Sequence, residues 1–145
     1  MVLKLSWSDV TTLLRRIAGD VQGLADVVVG VGRSGLVPAA LLCNYAGCRA
    51  LLSVFAKKYG EGKPPRRLYE KPVITWGFSG DLGGASVLVV DDIAVTGETL
   101  RVVGEYVKTR GAGRVYTCVV VRKPGASVDF YGLETEECVV FPWES

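Results

Sequence analysis

The chain has 145 residues and a net charge of +2, with 49% apolar and 22% charged residues. That length and composition describe one globular domain, 1–145, and exclude a disordered chain. No apolar run approaches the roughly 18 residues that cross a bilayer, MVLKLSWSDV turns polar too early for a signal peptide, and the charge is too small to mark a nucleic-acid surface.

In chain order, Ser6 or Ser8 caps a first helix whose stripe is Val10, Leu13, Leu14 and Ile17. Asp26–Val31 reads as a buried strand and 32–35 as a loop. A second helix follows, with Pro38 in its first turn and a stop near Gly47. Ala50–Ala56 is a strand, and 57–72 is a basic segment with Pro64 and Pro65 that reads as a mobile arm. Val73–Trp76 is a short strand. Gly83 and Gly84 turn the chain into Val87–Val90, an apolar run without alternation and hence a strand buried on both faces. Glu98–Arg110 is helical, with Leu100, Val103 and Val107 on one face and Gly111 as its stop. Val115–Val121 is the last long strand, and the aromatic tail 129–143 is expected to cover one edge. Strands alternating with helices predict an α/β fold, a central parallel sheet flanked by helices on both faces.

Histidine is absent, which excludes Ser–His and Cys–His nucleophile pairs and His-ligated metals. Cys43, Cys48, Cys118 and Cys138 contain no C-x2-C pair, so a structural zinc is not expected. They read mainly as core residues. A single Asn and a single Gln hint at a thermophile, in which an intracellular disulfide would be possible.

Two loops stand at strand carboxyl ends, where open α/β sheets bind ligands. Gly30–Gly35, GVGRSG, fits G-x-G-x-x-G, yet no acid follows about 20 residues on to hold a dinucleotide ribose. What remains is a Gly-rich turn whose N–H groups, with Arg33, could hold an anion. The second loop follows Asp91-Asp92: Ala94-Val95-Thr96-Gly97-Glu98-Thr99 leads into a helix N-terminus, a phosphate cradle. Two adjacent carboxylates repel, more so when buried, and call for a compensating cation or donors. Carboxylates accept from sugar hydroxyls and suit Mg²⁺. A phosphorylated sugar satisfies both halves of the pattern.

VLVVDDIAVTGET closely resembles the phosphoribosyl-pyrophosphate (PRPP) motif of type I phosphoribosyltransferases, and GRSGLVPAALL resembles their pyrophosphate loop and following helix. Within the family the likeness is nearest to xanthine-guanine and archaeal 6-oxopurine enzymes, supported by Val120–Pro124 and Val139–Glu144. The resemblance implies the family's fold, with a small hood and tail region. It implies that Asp91 and Asp92 bind the ribose hydroxyls, with Asp92 also near Mg²⁺. Val95, Thr96, Gly97, Glu98 and Thr99 would hold the 5′-phosphate. Gly32, Arg33, Ser34 and Gly35 would hold pyrophosphate, with a cis peptide between Arg33 and Ser34. Lys123 and backbone groups at Val139 would read the base. Residues 57–84 would be a flexible hood, with Arg66, Arg67 or Lys71 reaching pyrophosphate, and 125–145 a base-side tail. The activity implied is transfer of a phosphoribosyl group from PRPP to guanine, hypoxanthine or xanthine, in a cytoplasmic homodimer or homotetramer without membrane or nucleic-acid partners.

Two positions depart from the 6-oxopurine pattern. Val95 stands where an Asp usually contacts N7 of the base, and Cys138 where an aromatic residue often stacks. Two alternatives therefore stay open: a phosphoribosyltransferase for another nucleobase, or a non-catalytic regulator that binds PRPP or nucleotides.

Overall fold

The computed structural model describes residues 1–57 and 71–144. Helix α1 (Trp7–Val21) starts where Ser6 Oγ accepts from the Asp9 N–H at 3.0 Å and Asp9 Oδ2 accepts from the Ser6 N–H at 2.8 Å, a reciprocal capping box. Its apolar stripe is buried at Val10, Leu14 and Ile17. Helix α2 (Leu36–Ala46) ends at Gly47, and α3 (Glu98–Thr109) is followed by Gly111; both glycines have positive φ.

Six strands form the main sheet. In chain order they are Val27–Gly32, Ala50–Lys57, Val73–Trp76, Ser86–Ala94, Arg114–Arg122 and Phe130–Glu134. With the short N-terminal strand Val2–Lys4 as β1, these are β2 to β7, arranged β4-β3-β2-β5-β6-β7. All neighbours are parallel except β4, which lies antiparallel on the edge of β3. Helices α1 and α2 pack on one face around Leu14, Leu42, Leu88 and Val120. Helix α3 packs on the other around Val29, Val89, Leu100 and Val103. Valine fills both faces of β5, as an apolar run without alternation requires.

The parallel sheet and its flanking helices are as expected. The tail is not. Rather than lying over an edge, 130–134 adds strand β7 beside β6, and Cys138–Val140 forms β8. Strand β8 pairs in parallel with β1, Leu3 against Val139, in a separate two-stranded sheet. Phe141 stacks on Trp143 beneath it at 4.7 Å between ring centroids. Strand β5 also runs further than the apolar run, through both acids to Ala94.

The cysteines divide. Cys43 and Cys48 are joined in a disulfide across the turn after α2, with Cα atoms 5.0 Å apart. Cys118 is a core residue whose thiol burial pushes up to about 12, and Cys138 is exposed. The expected mobile arm at 57–72 falls mostly on 58–70, outside the described residues, whereas the later part of the hood expected at 57–84 is ordered: Val73–Trp76 is strand β4, and Phe78 and Leu82 pack on the α3 side because their apolar side chains are partly buried there.

Candidate functional site

Strand order decides where the site can be. From β2 the chain crosses through α2 to β3 on one side; from β5 it crosses through α3 to β6 on the other. The crevice between β2 and β5 is therefore the point where the winding reverses, and loops open to either side of it. The pairing of the two strands ends at Gly30 and Val90, one residue before Asp91.

Both suspected loops meet there. A β-carbon on Gly35, at the start of α2, would lie 2.4 Å from the Val31 carbonyl oxygen and 2.9 Å from Asp91 Oδ1. Only glycine lets the first loop come this close to the acid pair. The cis peptide of that loop is Gly32–Arg33, so it precedes Arg33 rather than following it as expected. The Arg33 side chain is exposed.

Asp91 and Asp92 stand half-buried at the end of β5. Asp91 Oδ1 accepts from the Asp92 N–H and Asp92 Oδ1 from the Ile93 N–H, each at 2.8 Å. Of the compensating cation or donors expected, donors are found: among the described residues no basic side chain pairs with either acid. Two backbone donors are what the fold supplies. Burial, reinforced by the charge of Asp92 alongside, pushes the Asp91 carboxyl well above the usual carboxylate range. Asp92 is also raised by burial, against hydrogen bonds that lower it. The pair is thus set to hold a proton or to welcome a cation. No cluster of three metal-binding side chains occurs among the described residues. Two hard carboxylate oxygens fit Mg²⁺ if ligand oxygens and water complete its shell.

A cleft of about 220 Å³ runs from Asp91 past Ile93, Ala94 and Val95 to Thr99, with Pro72 on its far side. Thr96 Oγ1 accepts from the Glu98 N–H at 3.2 Å, folding the loop onto the start of α3. Gly97 has φ +93° and no room for a β-carbon, which would sit 2.2 Å from the Ser127 carbonyl oxygen. Val95 is 64% exposed and lines the cleft. Pro72 and Ile93 were not anticipated; nothing in the local pattern distinguishes them from ordinary strand-flanking residues.

On the far side of the loop, the Lys123 N–H donates to the Ala94 carbonyl at 2.9 Å, so Lys123 stands at the end of β6 beside the cleft. Its ammonium donates to the Glu137 carbonyl, next to β8. An ammonium has three donors, so two remain for a ligand. Lys123 and Val139 are therefore joined through Glu137, while Val139 itself is half-buried against β1. Lys71 is exposed beside Pro72; Arg66 and Arg67 lie outside the described residues.

A family model for the phosphoribosyl transferase domain matches residues 3–143. The chain belongs to that family. This phosphoribosyltransferase is 32% identical over 123 residues to xanthine-guanine phosphoribosyltransferase of Gluconobacter oxydans, across 81% of this chain and 68% of the relative. Its fold matches the crystal structure of a purine phosphoribosyltransferase from Pyrococcus horikoshii with a TM-score of 0.85 at 37% identity, covering 99% of this chain and 94% of the other. A further relative, 33% identical over 103 residues, is transcriptional regulator GfcR 1 of Methanosarcina barkeri; the match spans 71% of this chain but 48% of that protein.

Proposed function

We propose that the protein is a purine phosphoribosyltransferase that joins PRPP to guanine, hypoxanthine or xanthine, releasing pyrophosphate. The observation that carries the reading is the approach of both the Gly32–Gly35 turn and the Val95–Thr99 cradle to Asp91. One cradle suits the 5′-phosphate, the other the pyrophosphate, and the acids between them suit the ribose hydroxyls.

In the reaction, the bond from the anomeric carbon to the pyrophosphate oxygen breaks and a bond to a base nitrogen forms. The base gives its proton to solvent. Asp91 and Asp92 orient the ribose and stand close to the positive charge that develops on the ring. Arg33 and the N–H groups of its turn receive the leaving pyrophosphate, and the tight approach of Gly35 keeps that turn against the acids. The Lys123 ammonium donates to the exocyclic oxygen of the base. Asp92 would hold Mg²⁺, which supplies charge neutralisation when bound. These are tasks of alignment and electrostatics, for which no histidine is needed. The protein works as a cytoplasmic homo-oligomer.

Val95 favours a second reading, since its side chain offers the base no hydrogen bond: the substrate would be another nucleobase. A third is a non-catalytic regulator that binds PRPP or nucleotides; the Methanosarcina relative is named a transcriptional regulator. Pyrophosphate release from PRPP and Mg²⁺, measured with guanine, hypoxanthine, xanthine, adenine, uracil and orotate in turn, separates the three. Release with oxopurines alone is expected. Release only with another base, or PRPP binding without turnover, replaces the first reading with the corresponding alternative.

A further inference from the structure

The connection from β6 to β7 is short for two parallel neighbours. Only residues 123–129 return from the end of β6 to the level of Cys118, with no helix between. Parallel pairs ordinarily need a crossover of a dozen or more residues. This strap lies against the phosphate cradle and is fastened at three places. The Lys123 N–H donates to the Ala94 carbonyl at 2.9 Å and the Ser127 N–H to the Thr96 carbonyl at 3.0 Å. At its lower end Asp129 Oδ2 accepts from the Thr117 N–H and hydroxyl at 2.9 and 3.2 Å, while the Asp129 N–H donates to Thr117 Oγ1 at 3.0 Å. Ala126 is buried in the α3-side core between the ends.

The carbonyls that the strap holds are alternate ones, and this has a geometric result. In a trans peptide the C=O and the following N–H point in opposite directions. The peptides 94–95 and 96–97 are both trans. With the Ala94 and Thr96 carbonyls drawn toward the strap, the Val95 and Gly97 N–H groups must face the other side of the loop. That side is the cleft with Asp91; the strap residues do not line it.

We propose that the 123–129 strap is a positioning element for phosphate binding: by holding two carbonyls it aims the Val95 and Gly97 N–H groups at the 5′-phosphate before substrate arrives. The inference rests on the phosphoribosyltransferase reading and deepens it. Ser127 and Asp129 are its positioning residues, neither touching substrate. Donors fixed in advance cost no reorganisation when the anion binds.

Ser127→Pro removes the donor to Thr96, and Asp129→Ala releases the far end of the strap. Asp129→Asn keeps an acceptor for Thr117. Calorimetric titration with PRPP and Mg²⁺, and separately with pyrophosphate and Mg²⁺, reads the effect, beside steady-state KM and kcat. The expected result is a PRPP Kd and KM about tenfold higher in Ser127→Pro and Asp129→Ala. Pyrophosphate affinity and kcat should hold, and Asp129→Asn should restore PRPP affinity. Wild-type PRPP affinity in folded Ser127→Pro and Asp129→Ala would overturn the proposal, as would an equal loss for pyrophosphate, the mark of general loosening. If Ser127→Pro does not fold, the Asp129 pair decides alone. Wild-type protein that binds no PRPP would instead overturn the phosphoribosyltransferase reading itself.

Discussion

The two acids at the end of β5 work against the fold they sit in. A carboxyl whose pKa is raised on folding stabilises the native state while protonated; that stability is complete below the unfolded value near about 4 and is lost as pH rises through the raised one. Asp91 is the stronger case, through burial and its charged neighbour. Asp91→Asn should therefore raise the melting temperature of the ligand-free protein at pH 8, with the advantage shrinking as pH falls toward about 4. Turnover should fall on the order of 10²–10³-fold in Asp91→Asn and in Asp92→Asn. Thermal melts across pH, beside rates of pyrophosphate release, check both halves. An Asp91→Asn protein less stable than wild type at every pH would show that the carboxylate is not a burden. Val95→Asp tests the base side: a carboxylate there should raise kcat/KM for oxopurines about tenfold through one added charged hydrogen bond. No change across the base panel would place the base away from residue 95. Much of this was legible from residues alone. Two acids after an apolar run, followed by Thr-Gly and Thr, have chemistry that depends on near neighbours. Of the two compensations expected beside them, a cation or donors, the described residues supply donors, and these are backbone N–H groups that a reading of side chains does not single out.

Elements explain why the loops hold their places. At Gly35 and Gly97, as at Gly113 and Gly132, backbone meets backbone, and the contact cannot be relieved by moving a side chain. Gly35→Ala should cost about 1–3 kcal/mol of stability through overpacking and weaken pyrophosphate more than PRPP's ribose end, measured by denaturant unfolding and calorimetry. The α1 cap is a milder case: Ser6→Ala should cost about 1 kcal/mol without touching kinetics. The disulfide across the turn after α2 closes a loop between residues five apart. Breaking it with reductant should cost about 2 kcal/mol, seen as a lower melting temperature, and an unchanged melt would show that the bond contributes nothing. Helices and long strands could be read from periodicity and caps. Strand β7 could not, because FYGLE carries a glycine and ends in a charge, and its place depends on β6 rather than on its own pattern.

At the scale of the molecule, the two-stranded β1–β8 sheet was the least legible feature. Each strand has three residues, too few for a period, and Leu3 meets Val139 from the opposite end of the chain. On the proposed reading the sheet supports the base side, since Glu137, which receives Lys123, lies one residue before β8. Leu3→Asp should therefore raise KM for the base while leaving PRPP affinity near wild type; equal losses for both substrates would show that β1 supports the whole fold instead.

That same pairing orders the protein's birth. Chains emerge N-terminus first, at about 5–20 residues per second, and domains fold as their partners become available. Strands β2 and β5 are complete once Thr99 is out, and the strap that holds the phosphate cradle once Asp129 is. The β1 strand, made first, waits for the last eighth of the chain. The residues proposed for PRPP are thus all synthesised before the strand that pairs with β1.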